Sequence, residues 1–274
     1  MATQAATLAR PIAPSSSGVV LPAFTLWWRE IVRFYRQPGR VIGVVASPLV
    51  FWLVLGSGFG TSLRSAGGTE QHYLDYFYPG TLILIVLFTS IFTMMSVIED
   101  RKEGFLLSVL VAPVPRTAIV LGKILGGTTL AAVQGLIFLI FAPFARVHLE
   151  PLQVLLVAVV VFLVSFSLTA LGFAIAWPMD SPQAFHGIVN LFLIPMWLLS
   201  GALFPLDGAS RWIRILMHLN PLTYGVKALR WLLYPTQASS AEIKSAIATL
   251  VLFSLVMFAL ALLMANRRST KPAA

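Results

Sequence analysis

The sequence contains no cysteine. That excludes disulfides, thiolate nucleophiles and thiolate metal sites. Charge is scarce as well: 11% of residues are Asp, Glu, Lys or Arg, against about 25% in a soluble domain. No acidic residue falls in the middle of a long apolar run. Intramembrane enzymes and ion-driven carriers place ionisable groups there, so both classes lack their chemistry here. The four histidines, His72, His148, His186 and His218, fall in or beside expected loops, and no His-Glu-x-x-His occurs. A nucleotide-binding Gly-x-x-x-x-Gly-Lys-Ser/Thr is also missing. Gly122-Lys123 is followed by Ile124, which has no hydroxyl to place on magnesium. Gly56, Gly58 and Gly60 lack the strand and helix that a phosphate cradle requires, and read as a flexible exit from an apolar segment. The chain therefore carries no catalytic, cofactor or metal site of its own by motif.

What is present is apolar sequence: 58% of the 274 residues are hydrophobic. About 20 such residues cross a bilayer core as a helix. The runs divide into six expected spans, about 41–59, 79–98, 117–144, 152–177, 185–203 and 246–265. The fold class is all-α integral membrane. The formal charge of +9 would suggest nucleic acid in a soluble protein. Here the basic residues mostly flank apolar runs, which is the topological signature of cytoplasmic ends, and no nucleic acid is expected.

Residues 1–22 read as a disordered cytosolic tail, without the apolar core of a signal peptide. Residues 23–40 read as one amphipathic helix lying in the membrane interface. Phe24, Trp27, Trp28, Ile31 and Tyr35 recur at helical spacing, with Arg29, Arg33, Arg36 and Arg40 on the other side. Pro48 is expected to kink the first span, and Thr61–Tyr78 to form an outer loop. Lys123, near the start of the third span, is expected to snorkel to the interface. Gly122, Gly126 and Gly127 in the same span permit close helix approach, and Asn190 in the fifth is expected to hydrogen-bond between helices.

Residues 204–244 are too polar to span as one helix and are broken by Asn220-Pro221. They read as a re-entrant pair of short helices before the last span. Residues 266–274 form a basic cytosolic tail. Six spans place both termini on one side, and the basic residues make that side the cytoplasm. Arg211, Arg214, Lys227, Arg230 and Lys244 in the outer segment run against this rule.

The densest charge in the chain is Glu99-Asp100-Arg101-Lys102-Glu103. Each such residue costs about 2.5–3.5 kcal/mol at a bilayer centre, so the block is expected in water or at an interface. Phe105 to Val111 follows as a short apolar helix closed by Pro113 and Pro115.

This block resembles the cytoplasmic loop of type-2 ABC exporter permeases, the membrane subunits grouped with daunorubicin-resistance and nodulation-factor exporters. The shared pattern is a charged cluster at Glu99 to Lys102, then Glu103-Gly104, a Leu-rich turn, Pro113, Arg116 and Gly122-Lys123. A second block matches through Ser200-Gly201, Phe204-Pro205 and Asn220 to Tyr224. The chain departs from the pattern at Phe105, where Thr is common, at Leu107, where Glu is common, and at Lys227, where Asp is common.

The resemblance implies half of a transporter, working with a separate ATP-binding subunit that holds ATP and magnesium, and with a second permease subunit, identical or not. It implies a coupling segment at 99–116 through Glu99, Asp100, Arg101, Glu103, Gly104, Leu107, Pro113 and Arg116. The helix carrying Trp27, Trp28, Arg29, Arg33 and Arg36 would be a second contact, against lipid and the cytoplasmic motor. Ser200, Gly201, Phe204, Pro205, Asn220, Pro221 and Tyr224 would form an outer gate. The expected function is outward transport of an amphiphilic or lipophilic, drug-like cargo across a bacterial-type inner membrane. Permeation of polysaccharide or lipid-linked glycan, or a non-transporting ABC-linked scaffold, is the alternative.

Overall fold

The computed structural model describes residues 18–65, 73–147, 149–234 and 240–267. It is all-helical, with no strand among the described residues. In order the helices are α1 (Val20–Tyr35), α2 (Pro38–Ser65), α3 (Tyr73–Thr93), α4 (Met95–Lys102), α5 (Phe105–Val111) and α6 (Arg116–Phe138). They continue as α7 (Pro151–Ala176), α8 (Pro182–Leu198), α9 (Arg211–Leu219), α10 (Pro221–Leu233) and α11 (Ser240–Asn266). A 3₁₀ segment, Leu139–Ala145, extends α6.

Proline sets many of the boundaries. Pro38, Pro151, Pro182 and Pro221 each open a helix, where the missing N–H is no loss and φ is already helical. Asn220 caps α10 by accepting the Leu222 N–H at 3.0 Å, and Ser181 caps α8 by accepting the Ala184 N–H at 3.4 Å. Before α7, the Glu150 N–H donates to Gln153 Oε1 at 2.9 Å, half of a capping box.

The bundle is built around α3, which is hydrophobic all round and accordingly buried all round. Leu82, Ile83, Ile85, Val86, Leu87 and Ile91 are fully covered, by α2, α6, α7 and α10. By contrast, α11 covers α7 and α10 with one face and leaves Leu252, Leu255, Val256 and Leu263 exposed. Among the described residues, four helical stretches are long and apolar enough to cross a membrane: Tyr73–Lys102, Arg116–Ala145, Pro151–Ala176 and Glu242–Asn266. They fall on the expected second, third, fourth and sixth spans. Helices α2, of 28 residues, and α8, of 17, lie where the first and fifth were expected.

Several expectations need correction. The helix expected over 23–40 starts at Val20 and ends at Tyr35, so the tail expected over 1–22 already turns helical at Val20; residues 1–17 lie outside the described residues. Pro38 disfavours helical geometry at Gln37 and starts α2, to which Arg40 belongs. The glycines at 56–60 are helical, within α2, and the loop expected over 61–78 is helical up to Ser65 and again from Tyr73. Of that loop 66–72, of the re-entrant segment 235–239, and of the last tail 268–274 lie outside the described residues. The second span does not stop before the charged block. After a break at Met94 it continues as α4 through Lys102. Asn190 sits on the exposed face of α8 beside Leu191 and Phe192, without an interhelical hydrogen bond among the described residues.

Candidate functional site

The charged block does not lie on the surface as a unit. Asp100 is 0% exposed. It is the centre of an ion cluster drawn from α1, α4 and α6. Asp100 Oδ1 accepts from Arg29 Nη2 at 2.7 Å and from Arg33 Nη1 at 2.6 Å, and Oδ2 accepts from Arg29 Nη1 at 2.9 Å. Lys123 Nζ also donates to Asp100 Oδ2. Glu30 Oε1 accepts from Lys123 at 2.7 Å, and Glu30 Oε2 accepts from Ser96 Oγ at 2.7 Å. Arg33 Nη2 donates to Glu99 Oε2 at 2.7 Å and lies 3.6 Å from Glu103. Three cations, Arg29, Arg33 and Lys123, thus meet three carboxylates, Glu30, Glu99 and Asp100. Burial alone would lower the pKa of Arg29. The hydrogen bonds and charge of Asp100 outweigh it and hold the guanidinium above its ordinary value.

Close approach of α1 to α6 makes the cluster possible. A Cβ on Gly122 would lie 2.7 Å from Ala23 O, and one on Gly126 would lie 2.7 Å from Glu30 Cβ. The two glycines, one helical turn apart, form the seat for α1. Gly127 faces Thr93 and Thr169 instead. The buried stripe of α1 is Ala23, Leu26, Glu30 and Phe34, a helical spacing of three and four. Phe24, Trp28 and Tyr35 are exposed. Trp27 is half-buried and donates Nε1–H to Thr129 Oγ1 at 3.0 Å. The basic face is corrected: Arg29 and Arg33 turn inward to the carboxylates, and Arg36 alone of the three stays exposed.

The remaining members of the block bind neighbouring helix ends. Arg101 donates to Trp177 O and to Met179 O, the latter at 2.9 Å, and pairs with Asp180 at 3.0 Å. A cation there complements the carbonyl end of α7. Arg116 Nη1 donates to Ala265 O at 2.8 Å and Asn266 O at 3.2 Å, capping α11. Asp100, Arg101 and Arg116 therefore hold the bundle together rather than forming an open contact surface.

What remains open is α5. Gly104 at φ 78° turns the chain from α4 into it. Phe105 lies under the Arg29 guanidinium, 3.7 Å from ring centroid to Cζ, and Leu106 is buried. Leu107 at 60%, Leu110 at 37% and Val111 at 87% exposed form an apolar stripe pointing away from the protein. Glu103 and Pro113 flank it, also exposed. A Gly104→Ala substitution meets no steric contact within 4 Å but must adopt a left-handed conformation. It is expected to cost about 1–2 kcal/mol, read as a lowered unfolding midpoint.

Sequence reasoning missed Glu30, the one acid on α1, and misplaced Lys123. The lysine is 1% exposed and does not snorkel; two carboxylates neutralise it in place. Glu30 lies one turn from both Leu26 and Phe34 on the apolar stripe, and an acid in that register is the signal that marks a buried ion partner.

The expected outer-gate residues come together at the other end of the bundle. Gly201, at φ 80°, offers its carbonyl to Tyr76 Oη and to Arg230 Nη2, both at 3.1 Å. Ser200 Oγ donates to Trp197 O at 2.6 Å, and Asn220 Nδ2 donates to Met196 O. Tyr224 Oη donates to His218 O at 3.0 Å, and Pro221 starts α10. Phe204 is half-buried and Pro205 exposed.

Helices long and apolar enough to cross a membrane mark a membrane protein. The chain belongs to the ABC-2 type transporter family, whose model matches residues 23–234. Members of this family are permease subunits, not enzymes, and ATP hydrolysis lies in a partner ATP-binding subunit. The chain is 28% identical to a putative transport permease ycf38 of Cyanophora paradoxa, over 86% of each chain. It is 24% identical to the daunorubicin resistance ABC transporter permease protein DrrB1 of Streptomyces coeruleorubidus, over 81% of this chain and 78% of that one. It is likewise 24% identical to nodulation protein J of Neorhizobium galegae, over 75% and 78%.

Proposed function

We propose that this chain is the membrane subunit of an ATP-driven exporter, and that α5 is the element its motor moves. The observation that carries the reading is the stripe Leu107, Leu110 and Val111. It is exposed, apolar, and braced from behind by Phe105 on Arg29 and by the ion cluster. A pushed helix needs such backing if it is to transmit displacement rather than bend. Force on α5 would reach α1 and α6 through Arg29, Asp100 and Lys123, and the α7–α8 turn through Arg101.

In this reading the ion-cluster end faces the cytoplasm with both termini, in a bacterial-type inner membrane. Helices α2 and α8 cross the membrane as well, giving six spans; α2 extends about 42 Å at about 1.5 Å per residue. Helices α9 and α10, with 9 and 13 residues, are too short to cross and close the path on the outer side as a re-entrant pair. The partner subunit binds ATP and magnesium, and a second permease subunit completes the path. The exposed apolar face of α8, with Asn190 on it, is suited to that contact or to lipid. The cargo is amphiphilic or lipophilic and drug-like.

The test is co-purification of the tagged chain with its ATP-binding subunit, followed by an ATPase assay. Leu107→Asp with Val111→Asp is expected to weaken partner recovery at least about tenfold, by losing apolar contact and burying charge. The unfolding midpoint should hardly move, because both side chains are exposed. Full recovery of an active motor with this variant would remove α5 as the docking element.

A further inference from the structure

The end of the bundle away from the ion cluster contains a cavity of about 600 Å³ between α3, α9, α10 and the start of α11. Asp75 and Asp100 stand at opposite ends of α3–α4, about 37 Å apart along the axis at about 1.5 Å per residue. The cavity is within the roughly 300–1,000 Å³ of ligand sites. Its cationic lining is Arg146, Arg214, Lys227 and Arg230, and its anionic lining is Asp75 and Glu242. Arg146, Arg214 and Glu242 are exposed, whereas Asp75, Lys227 and Arg230 are half-buried. Arg230 spends its hydrogen bonds on neutral groups: Nη2 donates to Gly201 O at 3.1 Å and Tyr76 O at 3.4 Å, and the guanidinium stacks on the Tyr76 ring at 4.1 Å. Its buried Nε has no partner among the described residues. Lys227, half-buried, makes no hydrogen bond or ion pair among the described residues.

Two half-buried cations, Lys227 and Arg230, thus face one half-buried carboxylate, and a cation drawn away from water without an anionic partner is unfavourable. Lys227 and Arg230, with Arg214, are also among the charges that run against the positive-inside pattern. A ligand of opposite charge supplies the missing partner. Trp231 and Tyr234 line the cavity beside the cations. Tyr234 is held by its hydroxyl, 3.0 Å from Asp75 O and 2.9 Å from Ala145 O. Such a wall offers apolar faces next to anion-binding donors, which suits a molecule with a charged head and an apolar body.

We propose that this cavity binds the phosphate-bearing headgroup of an anionic amphiphile, with Lys227 as the residue that selects for negative charge. Binding at this site stands without the exporter reading; only its placement on the outer face, where cargo would leave, rests on it. A cationic amphiphile would be disfavoured at the same site by like charge.

The experiment is native mass spectrometry of the purified full chain, titrated with phosphatidylglycerol or with phosphatidylcholine of the same acyl length. Phosphatidylglycerol is expected to bind at least about tenfold more tightly, the range of a charge-assisted hydrogen bond. Lys227→Glu should abolish the preference, Lys227→Gln should reduce it, and Lys227→Arg should keep it. Inorganic phosphate is the second probe. Displacement of the lipid by millimolar phosphate assigns recognition to the anion alone, so that a soluble phosphate could fill the site. Failure to displace assigns it to headgroup and body together, drawn from the membrane. Equal binding of the two lipids, or a preference that survives both Lys227→Glu and Lys227→Gln, overturns the proposal. No ATP-binding subunit is present in this assay. Loss of motor coupling and loss of this site are therefore read separately.

Discussion

Replacing Asp100 by alanine is expected to destabilise the chain by about 3–5 kcal/mol, the range for removing one partner from a buried charge pair. Asp100 is fully buried and accepts from three cations. Arg29 and Arg33, at 30% and 20% side-chain exposure, can turn toward water once it is gone. Lys123 cannot; it keeps Glu30 at 2.7 Å, but the cluster is left with an uncompensated positive charge. Glu99→Ala provides the contrast. Its side chain is 25% exposed and pairs with Arg33 alone among the described residues of the cluster, so a loss of about 0–1 kcal/mol is expected. The double variant Glu30→Leu with Lys123→Leu removes one charge of each sign and should recover most of the stability lost by Lys123→Leu alone, because balance returns. Unfolding midpoints of the purified chain decide this. If Asp100→Ala and Glu99→Ala shift the midpoint equally, the cluster has no buried centre and the coupling route through it fails.

The cluster also shows what the sequence could disclose and what it could not. Helix α5 was legible to the residue, because Gly104 opens it and Pro113 and Pro115 forbid its continuation. The break between α9 and α10 was legible for the same reason, through Asn220-Pro221. These are local signals, written within a few residues of the feature they control. The pairing of Glu30 with Lys123 spans 93 positions, and nothing local announces it. A lone lysine near a helix end is assigned to snorkelling because a single charge has only water to turn to. Two carboxylates from other helices change the outcome. Arg29 and Arg33 were misread in the same way. A basic helical face looks solvent-directed until the acids of α4 are folded against it. Of the expected coupling residues, the exposed ones (Glu103, Leu107 and Pro113) are where a partner can reach them. Asp100, Arg101 and Arg116 act on the chain itself.

The largest structural effect is expected from Gly122→Leu. Leucine is favoured over glycine inside a helix by nearly 1 kcal/mol, so propensity alone predicts a gain. Packing decides the other way. The first atom of the new side chain would already lie 2.7 Å from Ala23 O and 2.7 Å from Leu26 Cβ. One of these atoms is backbone and cannot rotate away, and overpacking of this kind costs about 1–3 kcal/mol. The clash is relieved only if α1 lifts from α6. Lifting it also separates Glu30 from Lys123 and Arg29 from Asp100, adding the cost of broken buried pairs to that of the overlap. Gly187→Leu is the matched control, since a Cβ there meets nothing within 4 Å, and it should be neutral or slightly stabilising. Because the chain has no cysteine, Ser96→Cys supplies a single thiol of nearly the same shape beneath α1. Ser96 is 3% exposed, so maleimide labelling should be slow in the parent and in Gly187→Leu, and at least about tenfold faster with Gly122→Leu, as local opening exposes the site. Equal labelling in all three would mean that α1 stays seated despite the overlap. The glycine seat would then not be what holds the ion cluster, and α5 behind it, in place.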